Sequence, residues 1–110
     1  MIVQPQAAAV AQATLAEHCS ERQREALPKE ELVVMGRYHI RYHILPYSAT
    51  AAIVFRDESR SVLPSWRALV GTRLGSLPAA DCMLAAKLLL EADEQAFVRA
   101  GNKCSTIWLD

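Results

Sequence analysis

The sequence is poor in the residues on which most catalytic and metal sites depend. Its 110 residues include three cysteines, three histidines and four glycines. Cys19, Cys82 and Cys104 are odd in number and form no C-x-x-C pair, which argues against a disulfide framework and against a cysteine zinc site. No phosphate-binding loop, G-x-S-x-G elbow or H-E-x-x-H pair occurs. These absences predict a protein with no catalytic residues, no metal and no cofactor.

An excess of either charge is also lacking, because twelve basic and twelve acidic side chains cancel. Non-specific nucleic-acid binding needs clustered positive charge, so the balance makes a nucleic-acid partner an unfavoured alternative. The charges are unevenly distributed along the chain. Residues 32–75 carry six arginines against two acidic side chains, whereas residues 1–31 and 76–110 each carry a net charge of −2. This basic middle segment suggests an interaction surface.

Long hydrophobic runs are missing as well. A bilayer-spanning helix needs about 20 apolar residues, and Lys87 interrupts the most apolar stretch, residues 82–90. The first residues lack the basic start and apolar run of a secretion signal. We therefore expect one cytoplasmic domain over residues 1–110, with no membrane partner and with Cys19 and Cys82 as small core residues in a reducing compartment.

Two long helices are predicted at the two ends of the chain. Residues 6–27 are rich in alanine and end before Pro28, which forces the preceding residue out of helical geometry. Residues 76–100 begin at the plausible cap Ser76 and end at Gly101. The first half of this second helix is apolar almost all round, which predicts burial on more than one side.

The clearest element is a strand over residues 32–45, where polar and apolar side chains alternate. Tyrosines and isoleucines fall on one face, which we expect to be buried, and Gly36 marks a bulge in this long strand. Cationic side chains fall on the other face. They are Arg37, His39, Arg41 and His43.

The remaining segments complete a small sheet. Residues 46–48 predict a turn, residues 50–56 a second strand and residues 61–63 a short third strand. Residues 65–74 fit either a short helix or an extension of the third strand, and the helix is favoured. Residues 106–109 predict a last strand. The sequence thus predicts an α+β fold, in which an antiparallel sheet of three or four strands packs two long helices on one face.

Histidines and cysteines offer a weak case for chemistry. On a strand, His39 and His43 lie about 13 Å apart, too far to share a zinc ion whose nitrogen ligands lie at about 2 Å. His18 and Cys19 are neighbours on a helix and project in different directions. A small Cys/His enzyme therefore remains an alternative that depends on tertiary convergence.

The cationic face of the predicted strand is the candidate partner-binding surface. Arg37, His39, Arg41 and His43 would meet an acidic protein, because arginine contacts carboxylates through two parallel hydrogen bonds. Such binding is expected to weaken with salt. The same face together with tyrosines is a possible surface for single-stranded nucleic acid. A solvated strand face with no partner is the simplest interpretation.

Aliphatic helix surface exceeds what a small sheet covers, and such surplus is typical of an interface. We therefore expect a homo-oligomer, formed by the alanine face of the first helix and the leucine-rich second helix. The candidate self-association residues are Ala8, Ala11, Leu15, Leu84, Leu88 and Leu89.

In size, arginine and alanine bias and order of elements, the chain resembles the small proteobacterial anti-activators of LuxR-type quorum-sensing receptors. The resemblance extends over the whole length and rests on no motif, so it assigns no functional residue. It implies a protein that sequesters a transcription factor by covering its dimerisation surface. We expect a non-enzymatic regulator that binds another protein; secretion chaperones and toxin-immunity proteins are alternatives of similar size.

Overall fold

A computed structural model describes residues 5–57 and 66–110 as an α+β fold. Helices pack on a five-stranded sheet, whereas the sequence predicts three or four strands. The helices are α1 (Pro5–Glu17), α2 (Glu21–Ala26), α3 (Ala79–Ala92) and α4 (Glu94–Cys104). The strands are β1 (Leu32–Met35), β2 (Arg41–Ser48), β3 (Ala51–Asp57), β4 (Arg67–Gly71) and β5 (Thr106–Trp108).

The strands lie side by side in chain order. The first three pairings are antiparallel, as predicted, but β5 runs parallel to β4. Parallel neighbours need a crossover connection, since a tight turn reverses the chain. Here α3 and α4 form that crossover. β5 therefore runs in the same direction as β4, whereas the sequence predicted an antiparallel sheet.

The predicted strand over residues 32–45 is in fact two strands. β1 turns back into β2 through a 3-10 turn at Arg37–His39, and Leu32 faces Ile44 across the resulting hairpin. The Gly36 N–H donates to the Ile40 carbonyl (2.8 Å) and closes the turn. Alternation of polar and apolar residues continues through the turn, so the pattern alone did not reveal the reversal.

The first predicted helix is also interrupted. α1 ends at Glu17 and α2 begins after Ser20, whose hydroxyl accepts from the Gln23 N–H in a capping box. Ser20 and Gln23 satisfy backbone donors that would otherwise lack partners at a helix start. The Gln23 amide also donates to the Val33 carbonyl (3.0 Å) and joins α2 to the edge strand β1.

The second predicted helix breaks at Asp93, whose extended backbone ends α3 and whose carboxylate caps α4 by accepting from the Ala96 N–H (3.1 Å). Ser76 is not the cap of this region, because α3 starts three residues later after Pro78. Gly101 does not stop α4 either. A Cβ there would lie 2.4 Å from the Trp66 ring, so glycine permits close packing of α4 on the start of β4.

Two local predictions are wrong and one lies outside the described residues. Residues 46–48 continue β2 through a bulge, and the chain reverses at residues 49–50 instead. Within the favoured short helix over residues 65–74, Arg67–Gly71 instead form strand β4, because pairing with β3 and β5 overrides their helical spacing. The predicted third strand at residues 61–63 is outside the described part of the chain.

The core lies between the helices and one face of the sheet. α3 contacts β1 to β4, and α1 packs against α3. Cys19 and Cys82 are buried, as predicted. No helix in the described ranges has the length and apolar character to cross a bilayer. The inward sheet residues are Leu32, Val34, Tyr42, Ile44, Ala52, Val54, Ala68, Val70 and Ile107.

Candidate functional site

The structure separates the four predicted partner-binding residues into two places. Arg41 and His43 lie on β2 on the side of the sheet opposite α3, and Arg41 lines a pocket beside α2. Arg37 and His39 lie in the turn between β1 and β2. The continuous cationic ladder predicted from the sequence is therefore wrong, because the chain reverses direction between its two halves.

Arg41 and His43 belong to a sheet surface that we call the open face. It comprises the strand residues on the side opposite α3. Two cross-strand rows run through its centre. Leu45, Ile53, Leu69 and Thr106 align in one row, and Val33, His43, Phe55 and Arg67 align in the other. All these side chains except the exposed Arg67 retain partial exposure, so the centre of this face is apolar and accessible.

Larger exposed side chains surround these rows. Met35, Tyr47 and Trp108 are 58%, 61% and 44% exposed, and Arg41 is also exposed, as is Arg67 at the end of the second row. The five strands contain no lysine. Enrichment in aromatic residues, methionine and arginine with depletion of lysine is the composition of protein–protein interfaces.

His43 is held in place on this face. Its Nδ1–H donates to Glu31 Oε1 (2.7 Å), and its side chain is 27% exposed. Glu31 immediately precedes β1, so this contact joins the two strands of the first hairpin. His43 therefore has a structural role in the hairpin in addition to its place on the open face.

A pair of hydrogen bonds to Glu94 fixes the turn that carries Arg37. Glu94 Oε1 accepts from the Arg37 backbone N–H, and Glu94 Oε2 accepts from the Tyr42 hydroxyl, both at 2.7 Å. Burial, and then the neighbouring Glu94, raise the pKa of Tyr42 well above its ordinary value, so it remains a hydrogen-bond donor. A Cβ at Gly36 would lie 2.6 Å from Glu94 Oε2, which is why glycine is required for this approach.

The backbone of this turn is strained. Tyr38 and His39 have φ values of 56° and 60°, in the left-handed region that non-glycine residues rarely adopt. Tyr38 is 90% exposed, whereas the alternation pattern placed it on the buried face. Strain of this kind persists only where surrounding contacts impose it, and it concentrates at functional sites.

A groove lies between this turn and α4, and we call it the arginine groove. It has a volume of about 350 Å³. Arg37 from the turn, Arg56 from β3 and Arg99 from α4 line it. Ile40, Tyr42 and Val98 form its apolar wall. Glu94 is the acidic residue of the lining, and both its oxygens accept the bonds described above.

Most of the predicted self-association residues are used within the chain. Ala11 and Leu15 are buried against α3, and Ala8 and Leu84 are partly buried. Leu88 and Leu89 are 46% and 42% exposed. Only these two leucines of the predicted set thus present a large accessible side chain.

Sequence reasoning missed Arg56, Arg99 and Glu94 as parts of a site, because these residues are distant in sequence and meet only in the fold. The one available signal was Asp93, which precedes Glu94 as a helix cap and marks the start of a new helix. No cluster of three or more histidine, cysteine or acidic side chains suited to a metal occurs within the described residues. A scan of protein-family models and searches of curated proteins and solved structures return no match to this chain.

Proposed function

We propose that this chain is a non-enzymatic regulatory protein that binds another protein through the open face. The supporting observation is the apolar centre of that face, surrounded by exposed aromatic and arginine side chains. Such anchors contribute most binding energy at protein interfaces when a partner excludes water from them.

The chemistry of the face favours a partner segment that is apolar and acidic. Leu45, Ile53 and Leu69 offer a flat aliphatic centre, and Arg41 and Arg67 lie at its margin. Arginine forms charge-assisted, two-point hydrogen bonds with carboxylates. The resemblance to anti-activators extends the proposal to a transcription factor whose dimerisation surface is covered in the complex.

A photo-crosslinking residue placed on the open face tests this proposal in the native host. We expect such a residue at Phe55 to capture one discrete protein, whereas one at Gln12, which is exposed on α1, does not. Leu69→Lys should abolish the crosslink at position 55, since it buries a charge in the interface. Identical products from positions 55 and 12, or no product from position 55, would contradict the proposal.

The identity of the captured protein tests the finer proposal. A LuxR-type receptor, recovered as a one-to-one complex that no longer binds its operator, is the expected result. A secreted effector or a toxin would instead assign the chain to the secretion chaperones or the immunity proteins.

Nucleic-acid binding is a second candidate, favoured by Tyr47 and Trp108 on the open face. Exposed aromatic side chains beside arginines can stack single-stranded bases. The aliphatic centre of the face and the zero formal charge favour a protein instead. Salt-dependent binding of a labelled single-stranded oligonucleotide, lost in Trp108→Ala, would support this second candidate.

A further inference from the structure

The arginine groove is separate from the open face, because it lies between the β1–β2 turn and α4. Arg56 stands next to Tyr42 across the β2–β3 pairing and shares the helix-facing side of the sheet with it. The groove thus presents a second surface whose chemistry the proposed function does not use.

Charge in the groove is strongly biased towards cations. Three arginines and one carboxylate line it. The Glu94 carboxylate accepts from the Arg37 backbone and from Tyr42, and neither bond involves a guanidinium. Within the described residues, no carboxylate lies at ion-pair distance from the side chains of Arg37 or Arg99. An anion that binds the side chains of Arg37 and Arg99 would therefore not displace a carboxylate from either of them.

The groove also has an apolar wall, which a simple inorganic ion would leave uncovered. Ile40, Tyr42 and Val98 contribute that wall. The groove has a volume of about 350 Å³. If each heavy atom occupies about 30 Å³, as a water molecule does in the liquid, the groove holds a ligand of roughly ten heavy atoms. This size and composition match a short apolar chain that ends in a charged head group.

Hydrogen bonds on both sides hold the turn that supplies Arg37. Glu94 holds the Arg37 backbone, and Gly36 donates to Ile40 at the other side of the turn. Preorganisation of this kind lowers the entropy lost on binding. The left-handed residues Tyr38 and His39 belong to the same turn.

We propose that the arginine groove binds a small amphiphilic carboxylate, with the carboxylate on Arg37 and Arg99 and the apolar chain against Ile40 and Val98. Carboxylate geometry suits the planar guanidinium fork. The apolar part distinguishes this ligand from free phosphate, and the charge distinguishes it from a neutral alcohol.

Titration of the full chain with octanoate, octanol and inorganic phosphate, followed by amide chemical shifts in NMR, tests the proposal. We expect octanoate to shift the resonances of residues 37–40 and 95–99, and octanol and phosphate to do so at least about tenfold more weakly. Arg99→Gln should weaken octanoate binding at least about tenfold, the usual result of losing one charged hydrogen-bond partner. The matched control Arg22→Gln, at an exposed position on α2, should leave it unchanged.

Several results would overturn the proposal. They are the absence of shifts at about 10 mM octanoate, shifts confined to the open face, equal binding of octanol or phosphate, and equal loss in the Arg22→Gln control. Because Arg37 and Arg99 are both exposed, their substitution does not disturb the core. Failure here would leave the open-face proposal intact, since Phe55 and Leu69 are not in the groove.

Discussion

At the scale of single residues, buried polar groups mark the positions where a substitution most affects the stability of this fold. Lys87 on α3 is only 6% exposed, and its ammonium donates to Glu91 Oε1 one helical turn later. Such a pair is tolerated because each charge satisfies the other, and removing only the acidic partner is costly.

Glu91→Ala is therefore expected to lower the free energy of unfolding by about 1–3 kcal/mol, since it leaves the Lys87 ammonium buried without its carboxylate. Lys87→Met, which removes the charge and keeps the packing, should change it by less than about 1 kcal/mol. Urea unfolding followed by tryptophan fluorescence measures both variants. A larger loss in Lys87→Met than in Glu91→Ala would contradict this account.

Cys82 makes the stability of the fold depend on pH in the alkaline range. Burial, and then the charge of Asp81, raise the pKa of this thiol from 9.0 to about 11. The pKa of the Cys82 thiol is higher in the folded state than in the unfolded state. The stability that the protonated thiol contributes is therefore complete below about pH 9 and is lost as the pH rises towards 11.

We expect the stability advantage of the wild type over Cys82→Ala to shrink by about 2 kcal/mol between about pH 8.5 and pH 11, in line with a shift of two pKa units. The comparison with the variant removes the contribution of other alkaline groups such as Tyr42. If the difference in stability between the wild type and Cys82→Ala stays constant with pH, the Cys82 thiol is not the cause of the pH dependence.

At the scale of elements, the turn between β1 and β2 decides the arrangement of the candidate surfaces. It places Arg37 and Tyr38 beside α4 while leaving Arg41 on the open face. Its left-handed residues, Tyr38 and His39, directly follow Arg37, whose backbone N–H donates to Glu94.

His39→Gly should stabilise the protein by up to about 1 kcal/mol, because glycine adopts a φ of 60° without a steric cost. His39→Val should destabilise it by more than about 1 kcal/mol, since a β-branched side chain is strained there. The side chain of His39 is exposed, so loss of packing does not contribute to the difference in stability between these proteins. Thermal unfolding ranks the three proteins, and the reverse order would contradict the strained turn.

Alternation predicted extended chain for the residues of β1 and β2, but as one continuous strand, and it predicted β3 and β5; it did not predict the chain reversals. Residues 32–45 keep their pattern through the turn, and Asp93 interrupts an otherwise continuous helical sequence. A residue distant in sequence decides the first reversal, whereas a local helix cap decides the break between α3 and α4. Glu94 holds the turn, and Asp93 caps α4 so that Phe97 packs against Trp66.

At the scale of the whole molecule, surface that remains apolar after folding indicates where other chains bind. Leu88 and Leu89 project from α3 on the side away from the sheet, and Val10 on α1 is 62% exposed. Homo-oligomerisation through α3 stays a prediction, now restricted to these leucines.

Sedimentation equilibrium at micromolar concentration tests that prediction. We expect the wild type to associate and the Leu88→Glu, Leu89→Glu double variant to be a monomer, since two charges would be buried in the interface. Ala13→Glu, an exposed substitution on α1, is the matched control and should leave the mass unchanged. A monomeric wild type would contradict the predicted self-association.

By itself the sequence determined the α+β class, the buried cysteines and the alternation that gives the sheet one inward face, because these follow from local periodicity and hydrophobicity. The tertiary structure alone decided that the predicted cationic residues divide between the open face, which holds Arg41 and His43, and the β1–β2 turn, which holds Arg37 and His39. It also decided the parallel entry of β5 and the meeting of Arg37, Arg56 and Arg99. Those outcomes depend on contacts between segments far apart in the chain, and periodicity within one segment carries no information about them.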